Sequence, residues 1–298
     1  MIPLGRPPLP TALEKIAEEL DYSNFKELGP MQGLIATRLD YFGRIWTLRY
    51  FWFSLVLNDL DHRYKRSFLG VGWSLVRPLS MTFLFCVVFG QLFNLEMAEY
   101  APHLLIGMTI WQFFLEAFNQ GCHCFANGST YIRQQQVPLA IFPLRTVLGS
   151  TFHTLIALGL AIIITLFFQG SLNPLALLHV IPALVLLFFL GWSIAILSGI
   201  AQTHFPDTQH ILEISLQFLF YLTPIVYKLE SLESRTQLSW LVKLNPLTSI
   251  LALFRTPIME GKPPSMDHII ISLLVLLAAG VSAILLLRKL ERNLIFWI

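Results

Sequence analysis

Apolar residues along this chain gather into long segments that alternate with short polar stretches. A helix needs about 20 predominantly apolar residues to cross a bilayer. Six segments come close to this length, at about residues 76–94, 103–121, 145–168, 175–200, 211–228 and 268–287. The pattern therefore predicts an all-α polytopic membrane protein with six transmembrane helices.

Two further apolar stretches are interrupted and are not predicted to span. Between Tyr41 and Leu60 aromatic residues crowd together, but two arginines leave an unbroken apolar run that is too short to cross. This favours an amphipathic helix lying in the membrane interface. In residues 238–254, Lys243 and Pro246 break the pattern in the middle. Broken backbone survives at membrane depth only when protein covers it, so a re-entrant pair of short helices is predicted in the outer connection between the fifth and sixth spans.

Composition and charge agree with a membrane protein and predict its orientation. Of 298 residues, 55% are hydrophobic and 13% are charged, and the mean hydropathy is +0.65. The net charge of +2 gives no general affinity for polyanions, so no nucleic-acid partner is expected. Lysine and arginine concentrate before the first span and after the last, which predicts that both termini are cytoplasmic. Residues 1–40 are predicted to form a cytoplasmic extension, and residues 41–298 the membrane domain.

A polar stripe runs along the second predicted span. Spacings of three and four place five polar residues on one helical face, namely Thr109, Gln112, Glu116, Asn119 and Gln120. Acidic side chains inside a membrane are costly and usually face a bundle interior or a watery path, so Glu116 is a candidate functional residue. The alternative is a hydrogen bond between helices that only fixes their packing.

Three aromatic residues lie on roughly the opposite face of the same span: Trp111, Phe114 and Phe118. Aromatic planes can cover the apolar sides of sugar rings. Lipid-facing bulk is the commoner use of such residues, and both interpretations stay open.

A dense basic cluster, RYKRSFLGVGWSLVRP, stands at residues 63–78 before the first span. Its basic residues fit the excess of positive charge on the cytoplasmic side and can bind anionic lipid: Arg63, Lys65, Arg66 and Arg77. Gly70 and Gly72 let the chain bend upward, and Trp73 marks the headgroup level. These roles explain the residue types but not their order.

The order becomes informative when other motifs are added. RYKRSFLGVGWSLVRPL and a later VFGQLF are followed by LLIGMTIWQFF, NGSTYIRQQQVPLAIFPL, FPD, FLFYLTPIVY and LNPLTSILALFR. In this order the motifs resemble those of type-2 ATP-binding-cassette (ABC) exporter permeases. More narrowly, they resemble the polysaccharide and O-antigen export branch, which includes capsule and teichoic-acid permeases. The resemblance covers the chain from Tyr41 to its C-terminus.

The resemblance implies a permease subunit that forms a pore as a homodimer in the cytoplasmic (inner) membrane. A separate ATPase subunit would supply the energy and bind ATP and Mg²⁺, and a lipid-linked polysaccharide would move outward. Consistent with this, nothing in the chain matches the Gly-rich cradle that holds ATP phosphates, and Gly261-Lys262 runs straight into two prolines. Neither a bound cofactor nor a catalytic residue is expected in this chain.

Residue roles follow from the same resemblance. The polar segment after the second span is expected to couple to the ATPase through Asn127, Tyr131, Ile132, Arg133 and Gln134. The basic cluster is expected to receive the phosphate of the lipid-linked glycan at a cytoplasmic gate, because charge-assisted contacts to phosphate are strong. The translocation path is assigned to Trp111, Gln112, Glu116, Glu213 and Gln217.

The sequence offers little support for a metal site, an enzyme or a secondary transporter. Cys122-His123-Cys124 does not have the spacing of a structural zinc site, so no metal is expected. His153 lacks an acidic partner for a catalytic triad and is predicted to make a polar packing contact. A membrane-embedded glycosyl- or acyltransferase would need a convergent set of acids or histidines, for which only His204 and Asp207 stand close together. A secondary transporter would show matched broken helices in two repeated halves, and no such repeat is seen.

Overall fold

The computed structural model describes residues 38–65, 67–93, 96–134, 137–170, 172–227 and 236–297, and in these ranges the regular elements are helices. They are α1 (Arg38–Thr47), α2 (Arg49–Tyr64), α3 (Trp73–Phe93), α4 (Met97–Gln134), α5 (Ile141–Gln169), α6 (Pro174–Leu177), α7 (Val180–His204), α8 (Thr208–Leu222), α9 (Thr236–Leu244), α10 (Pro246–Arg255) and α11 (Met266–Trp297). A 3₁₀ turn at Gly70–Gly72 precedes α3, and a π-helical turn at Thr256–Glu260 follows α10. The all-helical fold class is confirmed in the described ranges.

The chain divides into two compact units between Thr47 and Leu48. Of the first unit only α1 is described, so the predicted extension over residues 1–40 lies almost wholly outside the described residues. The second unit contains α2 to α11 and all the residues discussed below.

Four described segments are long and apolar enough to cross a membrane: Gly70–Gly90, Ile141–Gln169, Pro174–His204 and Met266–Leu290. They confirm a multi-pass membrane protein. The second and fifth predicted spans, in α4 and α8, do not meet this standard, so the count of six stays a prediction.

Helix α4 lies at the centre of the second unit, where it packs against α3, α5, α7 and α8. Its first half is buried from Tyr100 to Trp111. Because neighbouring helices shield α4, its polar residues need not face lipid, which explains why its composition is less apolar than that of a lipid-exposed span. The helix is 38 residues long and continues to Gln134. Residues 127–134, which are expected to couple to the ATPase, are therefore helical and continue α4.

Helix α8 has 15 residues and ends at Leu222, before the predicted end of the fifth span. The following Thr223 has an extended backbone, with φ −94° and ψ 133°. A residue that precedes proline is disfavoured in the helical region, so Pro224 accounts for this break.

The aromatic region before the first span differs from its prediction. Instead of one interfacial helix over residues 41–60, the structure has two helices, α1 and α2, separated at Leu48. The chain then turns at Gly70, whose φ of +51° is a left-handed conformation that favours glycine. The predicted bend is confirmed at that residue.

The interrupted stretch at residues 238–254 forms two helices of 9 and 10 residues, α9 and α10. At about 1.5 Å per residue, neither is long enough to cross a bilayer. Asn245 separates them, and its side chain caps α10 by accepting a hydrogen bond from the Leu247 amide at 3.0 Å. Pro246 occupies the first turn of α10, where its missing N–H costs nothing. The predicted break is confirmed, and entry of this pair into the membrane stays a prediction.

Candidate functional site

A cavity of about 510 Å³ lies among α2, α3, α4 and α5. The helices contribute its lining in chain order: Arg63, Tyr64, Trp73, Ser74, Arg77, Pro78, Thr109, Gln112, Phe113, Leu115, Glu116, Asn119, Gln120, His153, Thr154 and Ala157. The cavity thus brings two predicted sets of residues together. The basic cluster supplies Arg63 and Arg77, and α4 supplies its entire polar stripe.

The polar stripe on α4 faces this cavity, as its helical spacing predicted. Gln112 Nε2 donates a hydrogen bond to Glu116 Oε1 at 3.3 Å, so the two side chains support each other one turn apart. Asn119 Oδ1 is buried and accepts no hydrogen bond from the described residues. This oxygen therefore keeps unused acceptor capacity beside the cavity.

His153 on α5 joins the cavity wall to the end of α2. Arg63 Nη1 lies 2.9 Å from His153 Nε2, and the Tyr64 hydroxyl lies 3.1 Å from His153 Nδ1. Because a guanidinium can only donate, Nε2 accepts the bond from Arg63, so a neutral ring carries its proton on Nδ1 and donates it to the Tyr64 oxygen. Burial raises the pKa of Tyr64, although the Arg63 guanidinium opposes the shift, so the phenol stays protonated at neutral pH. The predicted polar packing contact of His153 is confirmed.

A second cavity of about 320 Å³ adjoins the first. Three residues line both cavities, Arg63, Gln120 and His153, so the Arg63–His153 hydrogen bond forms part of the partition. In the second cavity Arg145 of α5 forms a two-armed ion pair with Asp59 of α2. The two contacts fasten α2 to α5 at successive turns.

The other members of the basic cluster have different environments. Arg77 is exposed at the rim of the larger cavity. Lys65 is exposed and pairs with Asp61 of its own helix, with Nζ 3.6 Å from the carboxylate. Arg66 lies outside the described residues. Of the four predicted gate residues, the cavity therefore includes Arg63 and Arg77.

The predicted coupling residues occupy the last two turns of α4. Ile132 is buried, whereas Asn127, Arg133 and Gln134 are exposed. The Tyr131 ring packs edge-on against Phe51 of α2, with 5.6 Å between ring centroids. This end of α4 therefore presents polar side chains outward while one ring contacts the helix that carries Arg63.

Three residues assigned to the translocation path lie elsewhere in the fold. Trp111 is only 6% exposed, and its ring packs 5.5 Å from that of Phe220 on α8. It belongs to the core rather than to the lining of either cavity, and Phe114 is buried as well. The interpretation of Trp111 and Phe114 as glycan-facing or lipid-facing is therefore wrong within this chain.

Glu213 and Gln217 are exposed on α8 and do not join the cavity lining. Glu213 accepts a hydrogen bond from Gln209 Nε2 at 2.9 Å. These two residues form a polar strip on the exposed face of α8, which also carries His210 and Ser215 among apolar side chains.

The cysteines and His204, the candidates for metal binding or catalysis, make only structural contacts among the described residues. Cys122 and Cys124 are buried free thiols. Among the described residues, no group of three histidine, cysteine or acidic side chains could hold a metal ion. His204 lies 3.0 Å through Nδ1 from the Ile200 carbonyl oxygen of its own helix, so this ring nitrogen is engaged away from Asp207.

For His153 the sequence predicted a packing contact but not the identity of its partners. It lies on a predicted span, but its partners are about 90 residues away along the chain, so local spacing carries no signal for them.

Comparison with known proteins places these features in a family context. The model of a family described as ABC-2 type transporter matches residues 50–259. The O-antigen export system permease protein RfbA of Klebsiella pneumoniae is 26% identical over 207 residues, which cover 68% of this chain and 78% of the relative. The protein of the same name from Myxococcus xanthus is 24% identical over 234 residues, covering 78% and 87%. The polysialic acid transport protein KpsM of Escherichia coli is 21% identical over 238 residues, covering 77% and 90%.

Proposed function

This chain belongs to the ABC-2 type transporter family, and from that premise we propose that it is the permease subunit of an exporter for a lipid-linked polysaccharide. Relatives named for O-antigen export and polysialic acid transport support this substrate class. Energy comes from ATP and Mg²⁺ bound by a separate ATPase subunit. The permease itself carries out no covalent chemistry.

The observation that carries this proposal is the cavity that joins the basic cluster to the polar stripe of α4. A lipid-linked glycan combines an anionic phosphate with a chain of hydroxyl groups. Arg63 and Arg77 suit the phosphate, since guanidinium groups form strong, often two-armed hydrogen bonds with phosphate oxygens. Gln112 and Glu116 suit the hydroxyl groups, since their oxygens accept hydrogen bonds from them. One wall therefore offers both kinds of contact.

Arg63 is held differently from Arg77, and the difference suggests separate roles. Arg63 donates to a neutral imidazole, a weaker acceptor than an anionic oxygen. A phosphate that reached the cavity would compete for the guanidinium and weaken the partition at His153. Arg77 stands at the rim, where it can make the first contact.

The last two turns of α4 are the proposed coupling site. Asn127, Arg133 and Gln134 offer exposed polar contacts for the ATPase, and Tyr131 connects this segment to α2 through Phe51. Because α2 also carries Arg63, displacement of the α4 end by the ATPase would reach the cavity through two contacts. The first joins Tyr131 to Phe51, and the second joins Arg63 to His153.

The working unit is proposed to be a homodimer in the inner membrane, with both termini in the cytoplasm. The concentration of basic residues near the first span and after the last supports this orientation. Exposed Glu213 and Gln217 on α8 support a second copy, since polar residues in a membrane usually face protein or water. Those two residues then join the translocation path from the dimer side.

The decisive experiment reconstitutes the chain with its ATPase in vesicles and measures ATP hydrolysis and glycan movement. We expect both activities to require both proteins, and substrate to stimulate hydrolysis. Nucleotide-driven glycan transport by the isolated chain would contradict the division of labour.

A matched pair of variants tests the gate. Arg77→Gln should raise the KM for the lipid-linked substrate on the order of tenfold, the loss expected for one charge-assisted contact. Lys65→Gln serves as the control, because Lys65 is exposed and pairs with Asp61 instead of lining the cavity. Equal KM values for the two variants would remove Arg77 from the gate.

A further inference from the structure

Arg255, the last residue of α10, makes three hydrogen bonds to main-chain carbonyl groups. Its Nη1 donates to the Pro224 oxygen at 2.6 Å. Its Nη2 donates to the His103 oxygen at 3.1 Å and to the Ile225 oxygen at 3.2 Å. One guanidinium thus bridges α4 and the segment that follows α8.

Two of these carbonyl groups lack helical hydrogen-bond donors because α8 ends early. Pro224 and Ile225 follow the break at Thr223, so their oxygens lie outside a helix and need another donor. The negative end of the α8 dipole also points toward this region, which favours a cation there. The break in α8 and the position of Arg255 are therefore complementary.

The third carbonyl group belongs to α4, and Gly107 leaves room for the guanidinium beside it. A side chain at position 107 would lie over the carbonyl of residue 103, one turn earlier. A Cβ at Gly107 would lie only 2.5 Å from Arg255 Nη2 and 3.2 Å from Ile225 Cγ2. Glycine at this position therefore permits the contact.

Two neutral hydrogen bonds join the same segment to its surroundings. The Tyr100 hydroxyl of α4 donates to the Val226 oxygen at 2.7 Å. Asn245 Nδ2 donates to Thr223 Oγ1 at 2.8 Å. Among the described ion pairs none involves Arg255, so carbonyl dipoles rather than a carboxylate balance its charge. The guanidinium of Arg255 therefore binds main-chain atoms and not a second side chain.

We propose that Arg255 is a positioning residue that fastens residues 223–227 to α4 and holds this end of the bundle closed. Position 103 is about 42 Å along α4 from Tyr131, at 1.5 Å per residue, so the fastening lies at the end remote from the coupling site. Under the proposed export function, on which this consequence rests, the fastening must release for glycan to leave. Release of these hydrogen bonds would let the segment, with its buried Ile225, move away from α4.

The test places a reporter thiol within residues 223–227, at the buried side-chain position 225. Ile225 is 0% exposed, so in the Ile225→Cys background a polar maleimide should label the full-length chain slowly in detergent micelles, where both faces are accessible. The native thiols are buried and give the background, measured without the reporter. Adding Arg255→Gln should speed labelling on the order of tenfold, as expected for a local opening that leaves the rest folded. Arg255→Lys should give an intermediate labelling rate, because a single ammonium group can reach only some of the three carbonyl oxygens.

Glycine variants provide an independent arm with a matched control. Gly107→Ala should speed labelling as Arg255→Gln does, since the new methyl group displaces the guanidinium. Gly159→Ala on α5 adds a methyl group into open space and should leave labelling unchanged. Millimolar guanidinium should slow labelling again in an Arg255→Ala variant but not in Gly107→Ala, a rescue that general loosening of the fold would not give.

Unchanged labelling in both Arg255→Gln and Gly107→Ala would overturn the proposal. Acceleration by Gly159→Ala of the same size, or absence of guanidinium rescue, would also overturn it. The labelling result does not depend on transport. Failure of the wild-type chain and its ATPase to move glycan would instead count against the proposed function.

Discussion

At the scale of single residues, the site depends on contacts made by arginine with neutral acceptors. Arg63 donates to an imidazole, and Arg255 donates to three carbonyl oxygens. Neither contact requires a buried carboxylate, whose removal from water would be costly. Both arginines can therefore exchange partners more readily than members of a tight ion pair.

Replacement of His153 tests the first of these contacts. His153→Phe leaves Arg63 without its imidazole acceptor and should weaken the docking of α2 by about 1.5–3 kcal/mol, the range for a hydrogen bond to a charged group. Amide hydrogen exchange should accelerate in the last two turns of α2. His153→Gln is the control, because its amide oxygen can still accept from Arg63, and equal exchange in the two variants would contradict the assigned contact.

Sequence periodicity predicted some of these residues and missed others for a physical reason. The stripe on α4 was predictable because residues three and four apart share a helical face. The partnership of Arg63 with His153 joins residues 90 positions apart, and that of Arg255 with His103 joins residues 152 apart. Such pairings arise from the folding of helices against each other, which a single sequence does not record.

At the scale of elements, α2 connects two parts of the proposed mechanism. Phe51 near its start contacts Tyr131 of α4, and Asp59, Arg63 and Tyr64 near its end contact α5. A rigid helix of 16 residues transmits a displacement at one end to the other. Helix α2 is therefore suited to transmit motion between the proposed coupling residues and the cavity.

A double variant tests the coupling segment. Tyr131→Ala with Arg133→Ala should abolish stimulation of the ATPase by glycan, because the ring contact with Phe51 and an exposed polar contact are both lost. Membrane insertion and the amount of chain in the membrane should stay unchanged, because both residues lie beyond the buried half of α4. Tyr131→Phe, which keeps the ring, is the control and should retain stimulation. Normal export by the double variant would remove these residues from coupling.

The ends of elements were predicted less well than their existence. The apolar pattern located the second span at residues 103–121, yet α4 runs to Gln134, since no proline stands between Pro102 and Pro138 to end it. Conversely, the predicted fifth span continued to residue 228, but the backbone before Pro224 ended α8 at Leu222. Hydropathy reports where a membrane can lie, whereas backbone chemistry decides where a helix stops.

At the scale of the whole molecule, α8 has an exposed face of mixed character. Ile211, Ile214, Phe218 and Tyr221 are exposed beside Glu213 and Gln217. A second copy of the chain would cover this face and remove the polar strip from lipid. The proposed homodimer therefore follows from the chemistry of one helix.

A cross-linking experiment tests that arrangement. Gln217→Cys should form a disulfide between two copies under mild oxidation, because α8 faces its partner in the proposed homodimer. Ile163→Cys on α5 is the matched control, since Ile163 is 63% exposed but its surroundings are apolar and suited to lipid. A cross-linked dimer from Ile163→Cys alone would place the interface on a different helix.

The brevity of α8 has a consequence for the surrounding lipid. With 15 residues, α8 is about 22 Å long, whereas the hydrocarbon core of a typical bilayer is about 30 Å thick. As the predicted fifth span, α8 would require the lipid that borders the proposed dimer contact to thin to its length, which costs a fraction of a kcal/mol per Å. Reconstitution in lipids of increasing chain length should therefore slow export, while ATP hydrolysis by the isolated ATPase stays constant. The early end of α8 at Leu222 would then thin the bilayer locally and shorten the hydrocarbon region that a hydrophilic polymer has to cross.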